Sequence, residues 1–326
     1  MPLENYGVLR ARAVDHRLAS RANAHFQIHA LDGDTNYRIA VNVESKEQPS
    51  VLDYLMVSDF RHPILDTVAV LPAGWSDLER KPGGAALDFI RASLFDREAL
   101  RQLPFDVPGP DNDLNEKLAV YVRRAIADPA ATLYAFGERW GPEPGVPDKF
   151  FGFEPGNGVH DIHMNQSNVG QFAGDNGVYQ DGALLLHFPA PQEQWVAIFL
   201  KFQSQGWHTD DTTGRPLGSE PDGIVRIVAA LVNAAQTPET EFVTLLNTTA
   251  AGVDLTGWTL ADRDGRTMAL DGSIGAGATL RVLLAPPVAL PNGGGVVNLL
   301  DATGLKVDGV FYTREQAAEA GRTIVP

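Results

Sequence analysis

Cysteine is absent from the chain. No disulfide framework and no thiolate metal site can form, so any metal would need His, Asp, Glu or Asn ligands. No apolar run approaches the length that spans a bilayer. Met1 to Tyr6 shows no basic segment followed by an apolar run, so the reading expects no signal peptide and a cytoplasmic location. Basic residues are scarce, with 26 Lys and Arg against 41 Asp and Glu and a net charge of -15. That balance argues against a broad nucleic-acid surface or adhesion to anionic lipid, though a local basic pocket remains compatible with it. The 326 residues, 44% hydrophobic and 21% charged, suffice for two domains with separate cores.

Alternating apolar and polar residues predict strands over Tyr6–Val14, His25–Ala30 and Tyr37–Val43. Leu31-Asp32-Gly33-Asp34-Thr35-Asn36 carries turn chemistry, so the last two form a hairpin. A further short strand is expected over Val51–Val57. Helical periodicity marks Ala85–Phe95 and a helix from Asn112 to about Ala127, with Leu114, Leu118, Tyr121, Val122 and Ala125 as its apolar stripe. Thr132–Phe136 reads as a strand, and the Gly- and Pro-rich stretch Gly141–Pro155 as a loop. Ala183–Phe188 and Trp195–Phe202 read as a strand pair. Beyond about Gly218 the texture changes to short, evenly spaced strands. The expected architecture is an α+β domain over 1–218, a mixed sheet with flanking helices, followed by an all-β immunoglobulin-like sandwich over 219–326.

Two resemblances are carried by specific residues. Leu255-Thr256-Gly257-Trp258-Thr259-Leu260-Ala261-Asp262, with Glu241–Asn247 and Val296–Asp301, resembles the lamin-tail domain. That resemblance implies an immunoglobulin-like module that docks to a protein partner. Tyr6-Gly7-Val8-Leu9, Tyr37–Val43, Gly109–Leu114, His160–Gln166 and Gln180-Asp181-Gly182 resemble the YukJ-like family of uncharacterised bacterial proteins. No settled activity comes with it.

The densest chemistry lies in Gly158–Asn168, with His160, Asp161, His163, Asn165, Gln166, Ser167 and Asn168. Strand alternation puts Asp161, His163 and Asn165 on one face and His160 on the other. Upstream, His25-x-Gln27, four residues, then Asp32 and the strand ending at Asn42 is similar to the phospholipase D superfamily motif. The resemblance implies a phosphodiesterase. His163 would be its nucleophile, His25 its general acid, Asn165, Gln27 and Asn42 its phosphate ligands, and Asp32 an orienting carboxylate. Gln27 and Asn165 stand where that superfamily has lysines, which removes two cations from the site. No cofactor is called for. One alternative is a metal-dependent hydrolase built on His160, Asp161, His163 and Asp210. Another is a two-domain binding or adaptor protein without catalysis. His25 and His29 also read as ordinary polar-face residues of a hairpin. Trp75, Trp140, Trp195 and Trp207 read as core.

Overall fold

A computed structural model describes residues 6–20, 23–43, 52–78, 101–102, 107–110, 112–161, 182–202, 224–236, 238–302, 304 and 306–326. The chain divides into two compact units, and Arg61–Thr67 falls in the second with the C-terminal sandwich.

The first unit is built almost wholly of strands: β1 (Tyr6–Arg17), β2 (His25–Asp32), β3 (Thr35–Asn42), β4 (Leu52–Val57), β5 (Gly74–Asp77), β6 (Arg101–Gln102), α2 (Leu114–Ala127), β7 (Thr132–Glu143), β8 (Gly156–His160), β9 (Gly182–Phe188) and β10 (Gln194–Phe202); α1 (Ile64–Ala69) lies between β4 and β5 in the chain, with Ile64–Thr67 in the second unit. The long β1 has three partners, one of them β5, which pairs with Gly7–Arg10. Its first half, Tyr6–Ala11, pairs with β7, and its second half, from Arg12, pairs with β2 with an irregularity between Ala13 and Asp15. Strands β2 and β3 form the expected hairpin, β3 runs parallel to β8, and β8 is antiparallel to β7. The ring β1-β2-β3-β8-β7-β1 therefore closes into a five-stranded barrel. Its third and fifth strands are parallel, and α2 lies in the chain between the third and the fourth. That is the connectivity of an OB-type barrel. From β7 the sheet continues outward through β9, β10, β4 and β6.

This corrects the expected α+β class. A phospholipase D-like mixed sheet with flanking helices is not what forms. The physical reason is β1, whose register with β7 and β2 closes a barrel that local periodicity cannot reveal. The expected helix Ala85–Phe95 lies outside the described residues.

Alternation puts Phe26, Ile28, Ala30, Ile39, Val41, Leu133, Ala135 and Val159 into one buried cluster inside the barrel. Helix α2 covers it with Leu114, Leu118, Ala119, Val122 and Ala125. The helix starts where its chemistry says it should. Asp113 caps it by accepting from the Glu116 amide at 2.8 Å, and Glu116 returns a bond from the Asn112 amide at 2.9 Å. Buried Asn115 both accepts from and donates to the Ala19 backbone, at 2.9 and 3.0 Å, pinning the helix to the β1–β2 connection. Ala183–Leu186 and Val196–Leu200 are unbroken buried runs, so β9 and β10 are covered on both faces.

The second unit holds β11 (Val225–Leu231), β12 (Phe242–Asn247), β13 (Val253–Asp254), β14 (Thr259–Asp262), β15 (Thr267–Ala269), β16 (Ser273–Ile274), β17 (Thr279–Leu283), β18 (Gly295–Leu300), β19 (Lys306–Tyr312), α3 (Arg314–Ala317) and β20 (Thr323–Ile324). Two four-stranded sheets, β17-β12-β11-β20 and β15-β14-β18-β19, enclose Ile227, Val243, Leu245, Leu260, Val297, Leu299 and Tyr312. This is the expected immunoglobulin-like sandwich. Trp258 is buried in it, one residue before β14. The buried polar residues Asp262 and Asn247 hold turns. Asp262 accepts from the amides of Asp264, Arg266 and Ala289 and pairs with the Arg266 guanidinium at 2.7 Å. Asn247 donates to the carbonyls of Ala251 and Ile274.

A candidate binding site on the barrel face

The same alternation that fills the barrel points a second set of side chains outward. On β2 these are His25, Gln27 and His29; on β3 they are Arg38, Ala40 and Asn42. Across the parallel pairing, Gly158 lies beside Arg38 and His160 beside Ala40; β7 adds Trp140 opposite Gly158 and Glu138 opposite His160. Two small residues, Ala40 and Gly158, thus sit in the middle of rows whose other members are large. A depression results, of about 390 Å³, bordered by His25, Gln27, Arg38, Trp140 and His160. Gly158 is required there. A Cβ on it would lie 2.1 Å from both the Trp140 ring and the Arg38 carbonyl oxygen. Trp140 can lean across only because that position is bare.

The rim is completed by two connections. Asn23 comes from the one joining β1 to β2, and Glu143, Val146, Pro147, Asp148 and Lys149 from the end of β7 and the segment leading to β8. That segment is ordered around Asp148, which is buried. One carboxylate oxygen accepts from the amides of Phe150 and Phe151, each at 2.9 Å. The other accepts from Arg38 Nε at 2.5 Å. The Asp148 amide donates to Phe153 at 2.7 Å, and its carbonyl accepts from Gly152 at 2.9 Å. Arg38 is fixed in turn. Its Nη1 donates to Gln27 Oε1 at 2.9 Å, and its guanidinium lies 4.6 Å from the Trp140 ring and 5.1 Å from that of Phe150. Farther along, His29 stacks between Phe151 and Phe153 at 5.0 and 5.2 Å, with Arg17 over Phe151. The histidines converge on the pocket: the His25 and His160 rings are 6.1 Å apart, and Trp140 and His160 are 4.6 Å apart. Arg38 and Lys149 are the basic lining residues, Glu143 and Asp148 the acidic ones, so the formal charge of the lining is balanced.

The site residues proposed from sequence fall in different places. His25 borders the pocket, and Gln27 lies on its floor with its carbonyl oxygen taken by Arg38. Asn42 is opposite His25 across the β2–β3 pairing and is buried; its Oδ1 accepts no hydrogen bond among the described residues. Asp32 is at the far end of β2, about 20 Å from His25 at the usual strand rise, beyond reach of its imidazole. His163, Asn165 and Asp210 lie outside the described residues. His160 faces the pocket, whereas Asp161, the next residue, is fully buried. Among the described residues, no three of His, Asp or Glu are grouped to hold a metal ion.

Sequence reasoning assigns Trp140 to the core and gives Asp148 no role. For Trp140 a contrary signal is present: it shares strand parity with Glu138, opposite to the inward Leu133 and Ala135. For Asp148 the signal is weaker, namely Asp148-Lys149-Phe150-Phe151-Gly152-Phe153, three aromatics packed into a Gly- and Pro-rich loop.

Asp161 makes a separate prediction. Burial pushes its carboxyl well above the usual carboxylate range, and the Ala183 amide offsets only part of this. Neither oxygen has a hydrogen bond of normal geometry among the described residues. A raised acid holds its proton more tightly in the folded state. Its contribution to stability is therefore full below the unfolded carboxylate range and falls as pH rises toward the folded value. Asp161→Asn removes that loss. The variant is expected to gain on the parent between pH 4 and pH 8, by about 1–3 kcal/mol at the upper end. Thermal unfolding at a series of pH values checks this. A variant less stable than the parent at pH 8 would mean that the carboxylate has a charged partner.

Comparison with known proteins places both units. Residues 1–214 match a family described as an uncharacterized conserved protein, DUF2278, and residues 220–314 match the lamin tail domain. The chain is 38% identical over 221 residues to "Uncharacterized protein YukJ" of Bacillus subtilis (strain 168), covering 67% of this chain and 96% of that protein.

Proposed function

This chain belongs to the DUF2278 family and carries a C-terminal lamin tail domain, and from that premise we propose a two-domain binding protein without catalysis. Its barrel holds a small ligand, and its sandwich docks to a protein partner. The observation that carries the reading is the pocket itself. It lies over the second and third barrel strands, between the β1–β2 and β7–β8 connections, where OB-type barrels take their ligands. Its volume falls within the range of small-molecule sites, and its polar groups converge on it. Arg38 donates to both Gln27 and Asp148, an arrangement that favours holding a shape over transferring protons. No described helix is long and apolar enough to cross a membrane.

The phosphodiesterase expected from sequence pairs His25 with His163, which lies outside the described residues; the imidazole that approaches His25 is that of His160, at 6.1 Å. One experiment separates the two readings. Ligand-observed NMR with a fragment library on the full chain is expected to find binders that are lost in Trp140→Ala and kept in Trp140→Phe. Binders indifferent to Trp140 would remove the site from consideration. Hydrolysis of bis(p-nitrophenyl) phosphate by the parent, abolished in His25→Ala, would establish the phosphodiesterase instead.

A further inference from the structure

We infer that the barrel pocket takes a neutral carbohydrate rather than a nucleic acid. This rests on the binding reading above and narrows it to one ligand chemistry. OB-type barrels divide between oligonucleotide and oligosaccharide ligands, and the two make opposite demands on charge. A nucleic-acid groove tracks phosphates with Lys and Arg, and its affinity comes largely from releasing their counterions. Here the charged lining residues cancel, Arg38 and Lys149 against Glu143 and Asp148. Arg38 is already engaged by Asp148 at 2.5 Å and by Gln27, so its charge is neutralised inside the protein. The whole chain adds a net charge of -15, which repels a polyanion at long range.

What remains is the chemistry a sugar ring needs. The C–H face of a pyranose is apolar and packs against an aromatic ring, and half-buried Trp140 stands at the pocket edge. The hydroxyls project sideways and each both donates and accepts. Polar planar groups line the same pocket: the Asn23 amide, whose nitrogen donates to the His25 carbonyl, the Gln27 amide, whose oxygen is held by Arg38, the His25 and His160 imidazoles, which donate or accept according to tautomer, and the Glu143 carboxylate, which accepts. Trp140 is held in place by Arg38 on its ring and by bare Gly158 beneath its edge, so little ordering remains on binding.

The test is titration calorimetry of the full chain with maltohexaose, cellohexaose, chitohexaose and a fifteen-residue oligothymidylate, backed by an array of neutral and acidic glycans. At least one neutral glycan is expected to bind saturably, with an affinity nearly constant between 50 and 500 mM salt. Trp140→Ala should weaken that binding at least tenfold. Glu143→Ala, an exposed position with little bearing on folding, should weaken it several-fold. Oligothymidylate bound with steep salt dependence, or no neutral glycan bound at all, overturns the inference. If the oligothymidylate or a library fragment still binds through Trp140, the ligand class is wrong and the site stands. If nothing depends on Trp140, the site falls as well.

Discussion

Asp148→Asn is expected to destabilise the barrel by about 3–5 kcal/mol, the cost of leaving a buried charge without its partner. The Arg38 side chain is 10% exposed and that of Asp148 is 1% exposed, so solvent does little to screen the pair. The asparagine oxygen can still accept from the Phe150 and Phe151 amides, which keeps the local turn. Its NH₂, however, confronts Arg38 Nε donor to donor, and the guanidinium is left uncompensated between Trp140 and Phe150. Arg38→Met should be similarly costly, because it strands the Asp148 carboxylate. The double substitution should cost clearly less than the two single ones together, since no unpaired charge remains. Urea unfolding of the four proteins, following the barrel transition, measures the cycle. A single-variant loss under 1 kcal/mol would show that the pair is not buried as described. Binding in the pocket should fall along with stability, because Asp148 orders the segment carrying Glu143, Lys149 and the Phe150–Phe153 aromatics.

Gly137→Ala is expected to prevent the barrel from closing. A Cβ at Gly137 would lie 1.8 Å from the His160 carbonyl oxygen, 2.7 Å from its carbon and 3.0 Å from the Asp161 Cα. All three are backbone atoms of a paired strand, so no rotamer change relieves the overlap. Small-to-large substitutions in packed sites cost about 1–3 kcal/mol, and more where the neighbours cannot move. This one belongs at or above the upper end. Strand β7 must shift away from β8 at the place where it also pairs with β1, Gly137 opposite Gly7. The expected result is loss of soluble protein, or a barrel transition lowered by 10 °C or more at about 2–4 °C per kcal/mol. Gly293→Ala is the control. No atom lies within 4 Å of its Cβ position, and its melting temperature should stay within about a degree of the parent's. Parent-like melting in Gly137→Ala would mean that β7 and β8 are farther apart than the barrel requires.

Local chemistry is legible in the amino-acid order. The β2–β3 hairpin follows from alternation around Asp32-Gly33-Asp34, and α2 from its apolar stripe and the Asp113 cap. The sandwich follows from short strands and the Leu-Thr-Gly-Trp-Thr-Leu-Ala-Asp motif. Each depends on residues a few positions apart. The class of the first unit is not legible in this way, because alternation describes each strand singly. Nothing in Tyr6–Arg17 alone says that one half pairs with β7 and the other with β2, more than a hundred residues apart in the chain. The dense stretch after Gly158 stands out by composition. Only His160 and Asp161 of its chemical groups lie among the described residues, and they turn to opposite sides.

The pocket divides along the same line. Sequence by itself determined strand parity, a local property: His25 and His29 read as polar-face residues of the hairpin and His160 as facing away from Asp161, whereas Trp140, read as core, stands at the pocket edge. Tertiary structure alone decided that these faces adjoin. The parallel β3–β8 register sets Ala40 beside His160 and Gly158 beside Arg38, and a shift of one residue would fill the depression and turn the histidine inward. Register over that distance is set by closure of the barrel around its core, a cooperative result of all five strands.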